Sequence, residues 1–233
     1  MTLGADTTVT SAMILAAGRG ERMRPVTDRL PKPLVRVGDK PLIQYHVERL
    51  ATAGIANIVI NLAWLGAQIR DLLGDGARFG VHIQYSDEGD AALETGGGIH
   101  RALPLLGPRP FWVISADIWT TFVFTNTAAR LADMDLAHLV LVPNPDFHPH
   151  GDFHLRSGRV TEVVGERLTY ANIALFRPEL FAACGPGRYS FVPLLRTAIA
   201  QGRVSGESFA GRWHNVGTVA QLQELNDELA VVR

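Results

Sequence analysis

Cysteine is almost absent from this chain: Cys184 stands alone among 233 residues. An internal disulfide is therefore excluded, and so is a cysteine-based zinc cluster. Excess charge of either sign is missing too, with 22 Lys and Arg against 23 Asp and Glu. The resulting net charge of −1 offers no basic face for a general nucleic-acid binder. No apolar run approaches the ~20 residues that span a bilayer. The first residues, Met1 to Ala12, lack both a basic start and an apolar stretch, so they do not read as a signal peptide but as a polar tail over 1–12. With 47% hydrophobic and 19% charged residues the chain is not a disordered one. The expectation is a soluble cytoplasmic protein whose residues 13–233 form a single domain, large enough to bury roughly 75% of its unfolded surface.

What is present is alternation. Met13 to Ala17 is strand-like and stops at Gly18, and Leu42, Ile43, His46, Val47, Leu50 and Ala51 follow helical spacing up to Gly54. Asn57 to Leu62 reads as a strand, Trp64 to Leu73 as a helix and Val81 to Tyr85 as a strand. Gly98 to Leu106 reads as a short helix, Phe111 to Ala116 as a strand running into Asp117, and Ala137 to Val142 as a further strand. Such a sequence of elements predicts an α/β fold, a mostly parallel sheet with helices on both faces. Pro, Gly, His and Asp crowd residues 143–152, and shorter strands follow at 152–155, 159–164 and 172–176. Residues 143–212 are read as a small inserted lobe of antiparallel character. Helices are expected over Arg188 to Gln201 and Thr218 to Val232, the last with Leu222, Leu225 and Leu229 on one side.

The most informative stretch is Leu15-Ala-Ala-Gly-Arg-Gly-Glu-Arg-Met-Arg-Pro-Val-Thr27, followed by Pro31-Lys-Pro-Leu34. Small residues let a backbone approach a ligand closely, and glycine turns aim several N–H groups at one anion. Arg19, Arg22, Arg24 and Lys32 surround that turn at the carboxyl end of a strand, which makes a plausible polyphosphate site. The ATPase phosphate loop does not occur, and the dinucleotide fingerprint fails because Met23 stands where its third glycine belongs. No Ser/His/Asp or Cys/His arrangement points to nucleophilic catalysis by a side chain.

These residues resemble the signature of the sugar-1-phosphate nucleotidyltransferases. The resemblance continues through Leu93-Glu-Thr-Gly-Gly-Gly-Ile99, Asp117 at a strand end, and Trp213-His-Asn-Val-Gly-Thr218. The Glu-Thr-Gly-Gly-Gly string and short length are most similar to the bacterial branch that acts on N-acetylmuramate 1-phosphate in peptidoglycan recycling. The family implies a Rossmann-like, GT-A-like nucleotidyltransferase fold whose 143–212 lobe binds the acceptor. It implies magnesium-dependent transfer of UMP from UTP to a sugar 1-phosphate, releasing pyrophosphate.

The family also implies roles by position. Arg22 and Lys32 are the catalytic cations, and Asp117 and Asn215 hold the metal. Leu15, Ala16, Ala17, Gly18, Arg19, Gly20, Glu88, Thr95 and Gly96 contact the nucleotide. Gly151, Asp152, Tyr170 and Asn172 contact the sugar phosphate. The sequence departs from the family where Glu94 and Asn172 stand in place of glycine, while Asn215 falls where the family has aspartate or asparagine and brings a neutral oxygen in place of a second negative charge. The partners expected are UTP and a sugar 1-phosphate, with no nucleic acid or membrane, and the chain is taken as a monomer. Rival readings are a guanylyl- or thymidylyltransferase acting on mannose, heptose or glucose 1-phosphate, a phosphocholine cytidylyltransferase, and a nucleotide-binding sensor without turnover. The His148-Pro-His150-Gly-Asp152-Phe-His154 string has metal-ligand residue types, but a polar loop explains it more simply.

Overall fold

A computed structural model describes residues 8–231. In chain order the elements begin with Ser11–Leu15 (β1), Arg36–Val37 (β2), Lys40–Pro41 (β3), Leu42–Thr52 (α1), Asn57–Leu62 (β4) and Gly66–Leu73 (α2). His82–Asp87 (β5), Glu94–Leu106 (α3), Phe111–Ser115 (β6), Ile118–Thr120 (β7) and Ala137–Val142 (β8) follow. The rest are Phe153–Arg156 (β9), Arg159–Thr161 (β10), Glu166–Phe176 (β11), Val192–Ala200 (α4), Val204–Ser208 (β12), Trp213–Asn215 (β13) and Val219–Val231 (α5). Residue 232 of the expected last helix lies outside the described residues.

Nine strands form one sheet in the order β5-β4-β1-β6-β11-β8-β12-β10-β9. Its pairings leave β10 and β11 running opposite to the other seven strands. The sheet is thus mostly parallel in direction. The pleat sends alternate residues of β1 to opposite layers. Ala12 and Ile14 pack with Ile43, Val47 and Leu50 of α1 and Ile69 and Leu73 of α2. Met13 instead packs with Ile99 and Ala102 of α3 and Leu195, Ala198 and Ile199 of α4. Helices therefore cover both faces. A third cluster docks Leu225 of α5 against Met23, Val37, Leu42 and Trp119.

Three expectations change. The strands of residues 143–212 do not stand apart: β11 inserts between β6 and β8 in the central sheet, and β12 continues it. Antiparallel pairing within the same sheet, rather than a separate core, accounts for their different local pattern. The expected tail does not extend to residue 12, because Val9 is fully buried and β1 starts at Ser11; residues 1–7 lie outside the described ones. Helix α3 begins at Glu94, four residues before its expected start, and takes the three glycines into its first turns.

Candidate active site

β1 ends with Leu15 level with Asn61 of β4 and Ser115 of β6, so three neighbouring parallel strands finish at one edge. The chain leaving β1 crosses that edge. Ala16 N–H donates to Asn61 Oδ1 (2.7 Å), which turns the backbone out of the sheet and over its carboxyl end. Gly20 then takes a left-handed conformation, φ +69°, where a side chain would press on Lys32 and Thr27. At Gly18 an added Cβ would meet no protein atom within 4 Å, so the backbone there faces open space.

That space is a cavity of about 390 Å³. Leu15, Ala16, Ala17, Gly18, Gly20, Arg22, Lys32, Glu88, Thr95 and Asp117 all line it. The glycine loop and the distant acid thus share one site, joined by the ion pair from Lys32 Nζ to Asp117 Oδ2 at 2.6 Å. Lys32 is 8% exposed and sits in a tight turn between Pro31 and Pro33, so its ammonium is delivered from a rigid stem. Arg22 reaches the wall beside Gly217, whose lack of a side chain leaves room for the guanidinium: a Cβ there would lie 3.1 Å from Arg22 Nη2.

Glu88 is held in place by protein donors. Its Oε1 accepts from Asn61 Nδ2 (2.7 Å) and its Oε2 from Leu93 N–H (2.6 Å). Gly98 makes this possible, since a Cβ there would stand 2.6 Å from Glu88 Oε1. Asn61, buried at 3% exposure, links the first loop to Glu88 and was not singled out in the sequence. A polar residue one place from the end of the apolar run Ile58 to Leu62 is the available signal. Glu21, Ala92, Glu94 and Ser115 also line the cavity.

Two expected nucleotide contacts move away. Arg19 turns from the cavity: it donates to Thr27 O (2.6 Å), pairs with Asp28 (2.7 Å) and stacks over Trp64 with its guanidinium carbon 3.7 Å from the ring centroid. It braces the loop instead. Hydrogen bonds from Arg19 and Arg24 hold the Asp28 carboxyl below its ordinary pKa. Gly96 is buried off the wall, its N–H donating to Tyr189 O at 2.8 Å, because α3 packs closely on the segment before α4.

Asn215 does not line the cavity but is brought to its edge. It pairs with Ile118, the residue after Asp117, and the Val216 N–H donates to Asp117 O at 2.8 Å. Asn215 Oδ1 is buried and has no hydrogen-bond partner. A buried amide oxygen left without a donor and a carboxylate one residue from its strand partner are the hard oxygen ligands that magnesium prefers. The donor set fits that ion.

None of the four expected sugar contacts lines the cavity. Gly151 and Asp152 fix a turn: a Cβ at Gly151 would lie 2.5 Å from Asn144 Oδ1, and Asp152 accepts from Tyr170 N–H (2.8 Å) and bonds His148 Nε2 (3.1 Å). Both are off the cavity wall. Tyr170 lies where β11 runs past the end of β6 and Asn172 beside its last residue, since Ile173 is level with Ile114 and β6 ends at Ser115. Neither lines the cavity. Asn172 is left-handed, φ +57°, at the irregularity in β11, and Glu94 is left-handed at φ +60°. Both positions where the family pattern has glycine therefore keep a glycine-like backbone here. Burial raises the pKa of the Tyr170 hydroxyl. Among the described residues no cluster of three or more His, Cys, Asp or Glu is placed to hold a metal, the His148–His154 loop included.

Residues 11–155 match the family model described as nucleotidyl transferase, and the chain belongs to that family. It is a nucleotidyltransferase enzyme of the sugar-1-phosphate kind. The chain is 50% identical over 91% of its length, and 95% of the relative's, to an N-acetylmuramate alpha-1-phosphate uridylyltransferase of Neisseria meningitidis serogroup B. It is 36% identical, over 88% of its length and 91% of the relative's, to the protein of the same description in Caulobacter vibrioides. Among solved structures, a UDP-glucose pyrophosphorylase complexed with UDP-glucose superposes with a TM-score of 0.76 at 19% identity, covering 97% of this chain and 100% of the other. That likeness establishes the shared fold. Among the described residues no helix is long and apolar enough to cross a membrane.

Proposed function

We propose that this protein transfers UMP from UTP to N-acetylmuramate 1-phosphate, with magnesium, giving the UDP-sugar and pyrophosphate. The single observation that carries the reading is the 2.6 Å pairing of Lys32 with Asp117 on the floor of a cavity ringed by backbone from the glycine loop. The choice of sugar and base draws support from the two relatives of that description.

The chemistry asks little of a general base. The attacking group is an oxygen of the sugar phosphate, largely ionised at neutral pH because the second phosphate pKa lies near ~6. It bonds to the α-phosphorus of UTP as the bond from that phosphorus to the bridging oxygen breaks, and the electron pair leaves with pyrophosphate. The protein has to hold two polyanions in line and neutralise them. Arg22 faces the β- and γ-phosphates, and Lys32 spans the α-phosphate and the incoming sugar phosphate. The loop of Leu15 to Gly20 brings backbone against the nucleotide, and Glu88 and Thr95 face the uracil edge, Glu88 retaining lone pairs beyond those used by Asn61 and Leu93. Tyr170 and Asn172 make the acceptor side within residues 143–212. Asp117 and Asn215 would hold the magnesium ion. Bound there, it supplies positive charge where the leaving group develops its negative charge.

A UTP-dependent step fits a cytoplasmic enzyme. The test is a matrix of four nucleoside triphosphates against a panel of sugar 1-phosphates, scored for magnesium-dependent pyrophosphate release. UTP with N-acetylmuramate 1-phosphate is expected to give the highest kcat/KM. A higher value for a guanosine or thymidine triphosphate pairing overturns the reading, as does nucleotide binding without release.

A further inference from the structure

Muramate differs from its parent amino sugar by an ether-linked lactate, whose carboxylate is ionised at neutral pH. Bringing that group to this cavity meets opposition, because Glu21, Glu88, Glu94 and Asp117 already line it against Arg22 and Lys32. Those two cations face phosphates. A further cation stands at the rim. Arg188 Nη2 lies 3.4 Å from Glu94 Oε1, with 69% of the Arg188 side chain exposed.

The backbone beneath Arg188 is pinned although its side chain is exposed. Tyr189 N–H donates to Leu93 O (3.1 Å), and Tyr189 O accepts from Gly96 and Gly97 N–H (2.8 and 3.0 Å). Gly187 O packs so closely on Gly97 that a Cβ at the latter would stand 2.0 Å away. Two residues on, Phe191 N–H donates to Thr95 Oγ1 (3.3 Å) and its ring meets Tyr170 edge-on, 6.3 Å between centroids. The backbone of Arg188 is thereby fixed beside Glu94 and Thr95 of the cavity wall.

Resting on the functional reading above, we propose that Arg188 recognises the lactyl carboxylate of the acceptor and is its specificity-determining residue. Guanidinium and carboxylate match as a two-pronged pair. In this structure Glu94 supplies the carboxylate that the ligand's would replace. An exposed ion pair of that kind is weak and screened, so the exchange faces a low barrier.

The experiment measures pyrophosphate release from UTP with N-acetylmuramate 1-phosphate and with its lactyl carboxamide, in the wild type, Arg188→Ala and Arg188→Lys. The wild type is expected to favour the acid over the carboxamide by about 10- to 100-fold in kcat/KM, the effect of one charge-assisted hydrogen-bonding partner. Arg188→Ala brings that ratio close to one through a raised KM for the acid, and Arg188→Lys restores part of it. A ratio already near one in the wild type, or a wild-type ratio retained in Arg188→Ala, overturns the proposal alone. A wild type that releases no pyrophosphate with N-acetylmuramate 1-phosphate overturns the functional reading and this assignment with it.

Discussion

Lys32 presents its ammonium to Asp117 from a nearly buried stem, so truncating it deletes the cation nearest the strand-end acid without touching the sheet. Lys32→Ala is expected to lower kcat by about 10²- to 10³-fold, the range for one preorganised electrostatic contact in a transition state. Pyrophosphate release checks this, and a melting temperature close to the wild type's shows that the fold survives. Near-normal turnover removes Lys32 from the mechanism. Asn215 presents the opposite case, an oxygen with no protein donor. Asn215→Ala is expected to raise the magnesium concentration for half-maximal activity by roughly 10-fold or more, as for other residues that tune a metal site. Asn215→Asp is expected to lower it by adding a second carboxylate. In chelator, Asn215→Ala is expected to melt no lower than the wild type, because it removes an unsatisfied buried group. A clear loss of stability in chelator refutes the ligand role.

At the scale of elements, the glycine-rich start of α3 works by close packing. Gly97 lies against Gly187 O so tightly that a methyl group there requires backbone movement. Gly97→Ala is expected to cost about 1–3 kcal/mol by overpacking. In a domain of this size that lowers Tm by roughly 2–4 °C per kcal/mol. Thermal unfolding reads the loss, and an unchanged Tm contradicts the packing. The same element shows where sequence reasoning stops. Helix α1 and strand β4 announced themselves because apolar spacing alone determines them. Helix α3 started earlier than expected because three glycines carry poor helix propensity, about 1 kcal/mol each, which packing on residues 187–191 overrides. Arg19 looked like a phosphate contact by its place in the loop, and no local pattern foretold that Trp64 would face it. Asn61 went unnoticed for the complementary reason: its partners Ala16 and Glu88 meet it only once β1, β4 and β5 are side by side. The cations and acid of the site were legible because their chemistry is carried by residue type. Which of them turn inward is decided by tertiary neighbours.

The whole molecule is made sensitive to acid by one histidine that is buried in its neutral form. His46 lies on α1 at 1% exposure, its ring packed beside the backbone of Ile118 with no ion-pair partner among the described residues to offset its burial. Burial pushes its pKa down to about 4, against 6.5 when unfolded. A base with a lowered folded pKa binds fewer protons folded than unfolded between those values, so stability falls as pH falls. Its contribution is fully present above about pH 6.5 and is lost progressively towards about pH 4. Integrating the difference gives a loss of about 2 kcal/mol by pH 5 from this group. His46→Leu removes the titration while keeping an apolar group in the same core. The unfolding free energy of the wild type is therefore expected to drop more steeply than the variant's between pH 7.5 and 5, by about that amount. Carboxylates contribute the same slope to both proteins, so the difference between the two curves isolates His46. Parallel curves across that interval place the acid sensitivity elsewhere.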